Sequence, residues 1–282
     1  MVILMTGITV DRDLCTRCGI CSEICTTQII EQADNDTALP EIPSPKEAWC
    51  LSCGHCEVFC PTGALTREHK EGVHLQHAAA PGSVGPETLG TYLKSRRSIR
   101  VYRHEPVANE TLMQILKTAR YAATGGNYQP VEWVVVNGAE KVHTIAALTM
   151  DYLQESGKSD HPISQYIPLL TESWNNGIDI VCRGAPVLIC AHVPTGTADS
   201  TGLVQTDAII ALTHVDIAAP AFGLGTCWAG RLVSVAQNYR PVREALHIPD
   251  NRKLAGALLA GYPKYKPVLI PERSKPLTVT WV

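Results

Sequence analysis

Cys15-Thr16-Arg17-Cys18-Gly19-Ile20-Cys21-Ser22-Glu23-Ile24-Cys25 and Cys50-Leu51-Ser52-Cys53-Gly54-His55-Cys56-Glu57-Val58-Phe59-Cys60 share one spacing, Cys-x2-Cys-x2-Cys-x3-Cys, and Pro61 follows the second. Eight of the 11 cysteines fall in this block, and Cys182, Cys190 and Cys227 are the others. A disulfide scaffold is short and spreads its bridges over its own fold. A dense block at the front of an otherwise ordinary chain reads as a metal module joined to a globular domain. Zinc sites take two ligand pairs rather than two runs of four. Three thiolates two residues apart wrap one face of an iron–sulfide cube, and a fourth three residues on points to a second cube. The expected ligation is therefore crossed: Cys15, Cys18, Cys21 and Cys60 on one [4Fe-4S] cluster, Cys25, Cys50, Cys53 and Cys56 on the other. Gly19 and Gly54 sit where backbone must approach the sulfides.

Working outward, the 282 residues are 45% hydrophobic and 18% charged, enough to bury a sizeable core. Apolar runs stop short of the roughly 18 residues of a membrane helix. The N-terminus lacks the basic region of a signal peptide. A net charge of −3 gives no electrostatic reason for a nucleic-acid partner. The expected location is cytoplasmic. Residues 1–90 hold 12 Asp/Glu against 5 Lys/Arg, net −7, which leaves +4 for the remainder. Residues 78–90 (AAAPGSVGPETLG) are rich in Gly, Ala and Pro and lack periodicity, so they read as a linker between domains at 1–77 and 91–282.

The second domain opens with Arg96-Arg97-Ser98-Ile99-Arg100, whose guanidinium forks and hydroxyl suit an anion. Asn109 is placed to cap a helix with apolar positions Leu112, Ile115, Leu116 and Ala119. Gly125-Gly126-Asn127-Tyr128-Gln129-Pro130 ends it, and the Asn and Gln amides match the polar edge of a flavin ring. Val131-Glu132-Trp133-Val134-Val135-Val136 and Ala185-Pro186-Val187-Leu188-Ile189-Cys190-Ala191 read as strands. Residues 207–222 (DAIIALTHVDIAAPAF) are apolar on nearly every face, hence a buried helix. A last strand runs through Leu258-Leu259-Ala260-Gly261. Cys182 and Cys190 are expected in the core. No metal-binding histidine pair, Gly-x-Gly-x-x-Gly, phosphate loop or Ser-His-Asp elbow is present. Residues 149–178, with Tyr152, His161, Tyr166 and Trp174, match no motif and are a candidate substrate-facing cover.

Over about residues 5–75 the cysteine block resembles bacterial two-cluster ferredoxins, departing at Thr26 where those often carry proline. Arg96-Arg97-Ser98-x-Arg100, Gly126-Asn127-x-Gln129-Pro130, Gly223-Leu224-Gly225-Thr226-Cys227-Trp228, Gly261-Tyr262-Pro263 and Arg273-Ser274-Lys275 together resemble the FMN-dependent nitroreductase family, in that family's order. The resemblance implies an α+β domain with a mostly antiparallel sheet flanked by helices, in an intertwined homodimer with FMN at the interface. It assigns Arg96, Ser98 and Arg100 to the phosphate and ribityl chain, with Arg97 beside them. Gly126, Asn127 and Gln129 fall to the flavin ring, Gly225 and Thr226 to backbone contacts near it, and Arg273 with Lys275 to completing the phosphate site. No side chain stands out as a general acid, so the chemistry is flavin-centred. Electrons from a ferredoxin or other low-potential donor would pass through the clusters to FMN and on to a small organic acceptor, nitro- or quinone-like. Two alternatives stay open: an electron-transfer or redox-sensing subunit serving a protein partner, and an FMN-dependent dehydrogenase or dehalogenase.

Overall fold

The computed structural model describes residues 7–32, 38–67, 75–155, 164–196 and 202–282. By its internal contacts the chain divides into residues 1–80 with 126–128, and residues 81–125 with 129–282.

In the first unit, β1 (Ile8–Val10) pairs antiparallel with β2 (Leu65–Arg67), joining Ile8 to Arg67 and Val10 to Leu65. Two single-turn helices, α1 (Ile20–Glu23) and α2 (His55–Val58), each start from a left-handed glycine, Gly19 at φ 77° and Gly54 at φ 78°. Only glycine adopts that backbone without penalty, and each glycine turns its cysteine loop directly into a helix. Between the quartets come a bridge from Glu31 to Glu41 and a 3-10 turn at Ser44–Trp49. The buried apolar residues described here are few, namely Ile29, Ile30, Pro40, Ala64 and Leu65. So small a core calls for a staple such as a metal site.

The second unit is built on four antiparallel strands in the order β3-β4-β6-β5: β3 (Glu132–Asn137), β4 (Val187–Pro194), β5 (Gly225–Trp228) and β6 (Arg252–Gly261). Period-two alternation sorts the strand residues between two cores. Leu188, Cys190, Leu254, Ala257 and Leu259 join one cluster with α5 (Ala139–Glu155), α6 (Ile167–Asn175), α8 (Gly230–Ala236) and α9 (Arg240–Ala245). Val187, Ile189, Ala191, Leu258 and Ala260 join the other with α4 (Asn109–Ala119) and α7 (Leu203–Ala218). The sheet is thus a middle layer with helices on both sides. Cys182 and Cys190 are wholly buried, and burial pushes the Cys190 thiol up to about 12.

Three sequence expectations need correction. The segment read as linker to residue 90 is helical from Pro86, since α3 spans Pro86–Ser95 with proline in its first turn and Glu87 beside the positive helix end. The Tyr92 hydroxyl donates to the Ile217 carbonyl at 2.6 Å, tying α3 to α7. Asn109 is the first residue of α4 rather than its cap; its Oδ1 accepts from Asn137 Nδ2 at 2.8 Å. The candidate cover at 149–178 is part core and part surface, and two of its aromatic residues are engaged within the fold. Thr149, Met150 and Leu153 are buried on α5, Tyr152 lies 5.1 Å from Tyr239, and Trp174 stacks on His143. Tyr166 is exposed, and His161 lies outside the described residues.

Candidate functional site

The two cysteine loops enclose two small cavities. Cys15, Cys18, Cys21 and Cys60 line one, together with Arg17, Gly19, Gln32 and Thr62. Cys25, Cys50, Cys53 and Cys56 line the other, together with Thr27, Gly54, His55 and Arg67. The crossed partition expected from spacing is the partition of the cavity walls. It arises because each one-turn helix carries the fourth cysteine of its loop out the far end, toward the other loop.

The thiols are prepared differently. Burial raises Cys21, and burial pushes Cys56 up to about 11 against the opposing pull of Arg67. Burial works the same way on Cys25, but the Ile29 backbone and the Thr27 hydroxyl outweigh it and leave that thiol below its ordinary value. Cys60 is lowered likewise, with the Leu65 backbone and the Thr62 hydroxyl opposing burial. The two fourth cysteines therefore share one device, a threonine two residues on whose Oγ1 lies 3.6 Å from Cys25 Sγ and 3.8 Å from Cys60 Sγ. Among the described residues, two buried polar atoms around these loops have no hydrogen-bond partner, Arg17 Nε and Ser52 Oγ, while the Ser22 hydroxyl is directed at the Cys21 thiol. Arg17 and Ser52 hold the same place in the two repeats, and both are left-handed, at φ 56° and 50°. Such backbone in a residue with a Cβ is uncommon and points to local constraint.

In the second unit, the stretch after α3 is laid along β5 and the end of β6. Ile99 N–H donates to the Thr226 carbonyl at 2.8 Å, Arg103 N–H to Tyr262, and Lys264 N–H to Val101. Tyr102 bridges to Pro263, and its buried hydroxyl donates to the Ile99 carbonyl; burial drives that phenol far above its ordinary pKa. Gly225 is required here, because a Cβ would run into Ile99 Cγ1 and lie 2.9 Å from Pro263 Cγ. This close seating brings Arg96 and Thr226 to a common partner, Asp216 on α7. The Thr226 hydroxyl donates to Asp216 Oδ1, and Arg96 Nη1 lies 3.4 Å from Asp216 Oδ2. Arg96 Nη1 is nevertheless buried without a hydrogen bond. Arg97 and Ser98 are half-buried and Arg100 is exposed, and none of the three has a hydrogen bond or ion pair to a described residue.

A second aspartate of α7, Asp207, accepts from Gly125 N–H at 3.1 Å, and Gln129 N–H donates to Thr124 Oγ1. Gly126, Asn127 and Gln129 are all left-handed, at φ 53°, 56° and 48°. Asn127 Nδ2 donates to the carbonyls of Leu51 and Ser52, at 3.2 and 3.1 Å, which is why residues 126–128 belong with the first unit. Arg273 and Lys275 lie on an exposed irregular tail, and neither has a hydrogen bond or ion pair to a described residue. Asp207 and Asp216, 5% exposed each, escaped the sequence reading, which took their helix as apolar on nearly every face. Charged residues are rarely buried unpaired, so two aspartates inside an apolar helix were the available signal.

Residues 93–262 match the family model described as the nitroreductase family, and residues 14–65 match a 4Fe-4S dicluster domain. The chain is 26% identical over 170 residues to an Archaeoglobus fulgidus protein named for NADH dehydrogenase/NAD(P)H nitroreductase activity, covering 60% of this chain and 82% of that one. A nitroreductase with bound FMN from Bacteroides fragilis superposes with a TM-score of 0.56 at 22% identity, over 69% of this chain and 98% of that one. A Desulfitobacterium hafniense nitroreductase with bound FMN gives 0.55 at 22% identity, over 70% and 100%.

Proposed function

Because the chain belongs to the nitroreductase family through residues 93–262, we propose that it is an FMN-dependent oxidoreductase fed by two [4Fe-4S] clusters. The observation that carries this reading is the pair of cavities, each walled by four cysteines drawn three from one loop and one from the other. Thiolate sets of that kind suit iron–sulfur cubes. Arg17 Nε and Ser52 Oγ, without partners among the described residues, would be donors to such sulfides. For FMN, the fit rests on Arg96 Nη1, buried without a hydrogen bond, and on Arg97, Ser98 and Arg100, which have no hydrogen bond or ion pair to a described residue. Arginine forks of this kind bind phosphate with two parallel bonds.

When bound, FMN joins one-electron delivery from the clusters to two-electron reduction of an organic acceptor, nitro- or quinone-like. The residues do the holding. Asp216 fixes Arg96 and Thr226, and Asp207 fixes Gly125, so both loops assigned to the flavin are anchored to α7. Arg96, Ser98 and Arg100 take the phosphate and ribityl chain. By the family resemblance, Gly126, Asn127, Gln129, Gly225 and Thr226 would hold the flavin ring, and Arg273 with Lys275 would complete the phosphate site. A homodimer supports the last assignment, since the tail leaves Val268, Leu277 and Trp281 each 91% exposed in one chain. Large apolar side chains so displayed mark an interaction surface. None of the described helices is long and apolar enough to cross a membrane, and the proposed setting is the cytoplasm with a ferredoxin or another low-potential donor.

The test is anaerobic purification with iron, sulfide and FMN assayed, then stepwise reduction. Near eight irons and one flavin per chain, with the flavin bleaching under reduced ferredoxin but not under NAD(P)H, supports a cluster-fed reductase. Rapid bleaching by NAD(P)H alone reverses the direction of electron flow. Failure to turn over any small acceptor would point to a subunit that serves a protein partner.

A further inference from the structure

The two cysteine loops superimpose position by position in sequence, so the places where they differ in charge are informative. Arg17 corresponds to Ser52, Ser22 to Glu57, Ile20 to His55 and Glu23 to Val58; Glu23 is exposed and does not line the cavity, whereas Glu57 is buried. Apart from cysteine, Arg17 is the one ionisable residue among those lining the Cys15/Cys18/Cys21/Cys60 cavity, and its Nε is buried with no acceptor. Gln32 Nε2 donates to the Arg17 carbonyl at 3.0 Å, which pins the backbone that carries it. The other cavity has a cation as well, Arg67, together with the imidazole of His55, which stacks on Phe59. Here a carboxylate is close at hand: Glu57 is 8% exposed and accepts from Arg67 N–H at 3.3 Å. Among the described residues, one cavity wall thus carries a positive charge with no ion-pair partner, and the other a positive charge with a buried carboxylate next to its backbone.

Net charge and hydrogen bonds to sulfur set the potential of an iron–sulfur cluster, because reduction adds a negative charge that a nearby cation or N–H donor stabilises. We propose that Arg17 and Glu57 make the two clusters unequal, with the Cys15/Cys18/Cys21/Cys60 cluster the more easily reduced. Arg17 acts as a tuning residue through its guanidinium, whose Nε is buried, and Glu57 holds the second site down through its buried carboxylate at the Arg67 backbone N–H. An electron entering either site then settles beside Arg17.

The inference rests on the two-cluster reading, and the order of measurement separates the two. Iron and sulfide are assayed first on the full-length protein, and far fewer than eight irons defeats the cluster reading itself. With eight present, a potentiometric titration followed by electron paramagnetic resonance at one fixed pH should show two one-electron waves. In Arg17→Gln the higher wave should fall so that the reduced-to-oxidised ratio at a given potential drops at least tenfold, 59 mV for one electron, with the lower wave unmoved. Arg17→Lys, which keeps charge but loses the Nε–H, should recover part of the shift. Glu57→Gln, which keeps an acceptor for Arg67 N–H, should raise the lower wave and narrow the gap. It also serves if Arg17→Gln fails to load iron. Cys18→Ser perturbs the spectrum of one cluster and so assigns the waves. Waves unmoved in Arg17→Gln and Glu57→Gln, or a higher wave that belongs to the Cys50/Cys53/Cys56/Cys25 site, would overturn the proposal.

Discussion

Replacing Asp216 probes the anchor beneath the proposed phosphate site. Its carboxylate accepts from the Thr226 hydroxyl in a buried, charge-assisted bond, a class that contributes about 1.5–3 kcal/mol. The Arg96 ion pair is longer, at 3.4 Å, and the arginine side chain is 27% exposed, so solvent screening limits it to about 1 kcal/mol. Asp216→Ala removes both contacts and leaves a small void, for an expected loss of about 3–4 kcal/mol. Asp216→Asn keeps an acceptor for Thr226 and removes the charge, for about 1–2 kcal/mol. At 2–4 °C per kcal/mol for a domain of this size, the melting temperature should fall by about 10 °C and about 4 °C respectively. A double-mutant cycle with Thr226→Val, read by urea unfolding, should show a coupling of about 1.5 kcal/mol or more. If both Asp216 variants stay within about 0.5 kcal/mol of wild type and combine additively with Thr226→Val, the carboxylate is not what holds these loops.

Three further outcomes are expected. Arg96→Ala together with Arg273→Ala should weaken FMN binding by about 1.5–3 kcal/mol for each lost phosphate contact, and unchanged flavin content in the purified double variant would remove that phosphate site. Gly225→Ala forces a Cβ into Ile99 Cγ1, so it should cost about 1–3 kcal/mol and lower bound flavin; full stability and flavin occupancy would mean the Ile99 stretch moves freely. His192, 4% exposed, has its pKa lowered first by burial and then by Arg252, whose Nε donates to Nδ1 at 2.6 Å. The unfolded chain therefore takes up a proton that the folded chain resists, so stability is lost as pH falls below about 6.5. The urea midpoint at pH 5.5 should sit below that at pH 7.5, and a His192→Gln variant with an unaltered pH response would assign the effect elsewhere.

What was legible in the sequence was local. The cysteine spacing led to the crossed cavities because ligand direction follows from a one-turn helix whose length the spacing itself states. The strand through Val187 and Cys190 was legible because both faces are covered, which writes itself as an unbroken apolar run. The start of α3 was missed because Gly and Pro dominate the composition of residues 78–90, although Pro86 in the first turn is a start signal. Asn109 was misplaced by one position because its amide is engaged by Asn137, 28 residues away. Larger separations hid Asp207 and Asp216, whose partners Gly125 and Arg96 lie far upstream. Residues 149–178 looked like a surface cover because their aromatic residues suggested a ligand, whereas Tyr152 and Trp174 find ring partners on α9's approach and on α5.

The two aspartates of α7 stand nine residues apart, which at 1.5 Å and 100° per residue is about 13 Å along the axis and half a turn around it. Each is bonded to a loop outside the helix, so axial spacing and angular phase are both set from outside. Inserting or deleting one residue between them would swing one carboxylate by about 100° and strand its loop. Length variation among relatives should therefore avoid the interval 207–216, even where sequence identity within it is low.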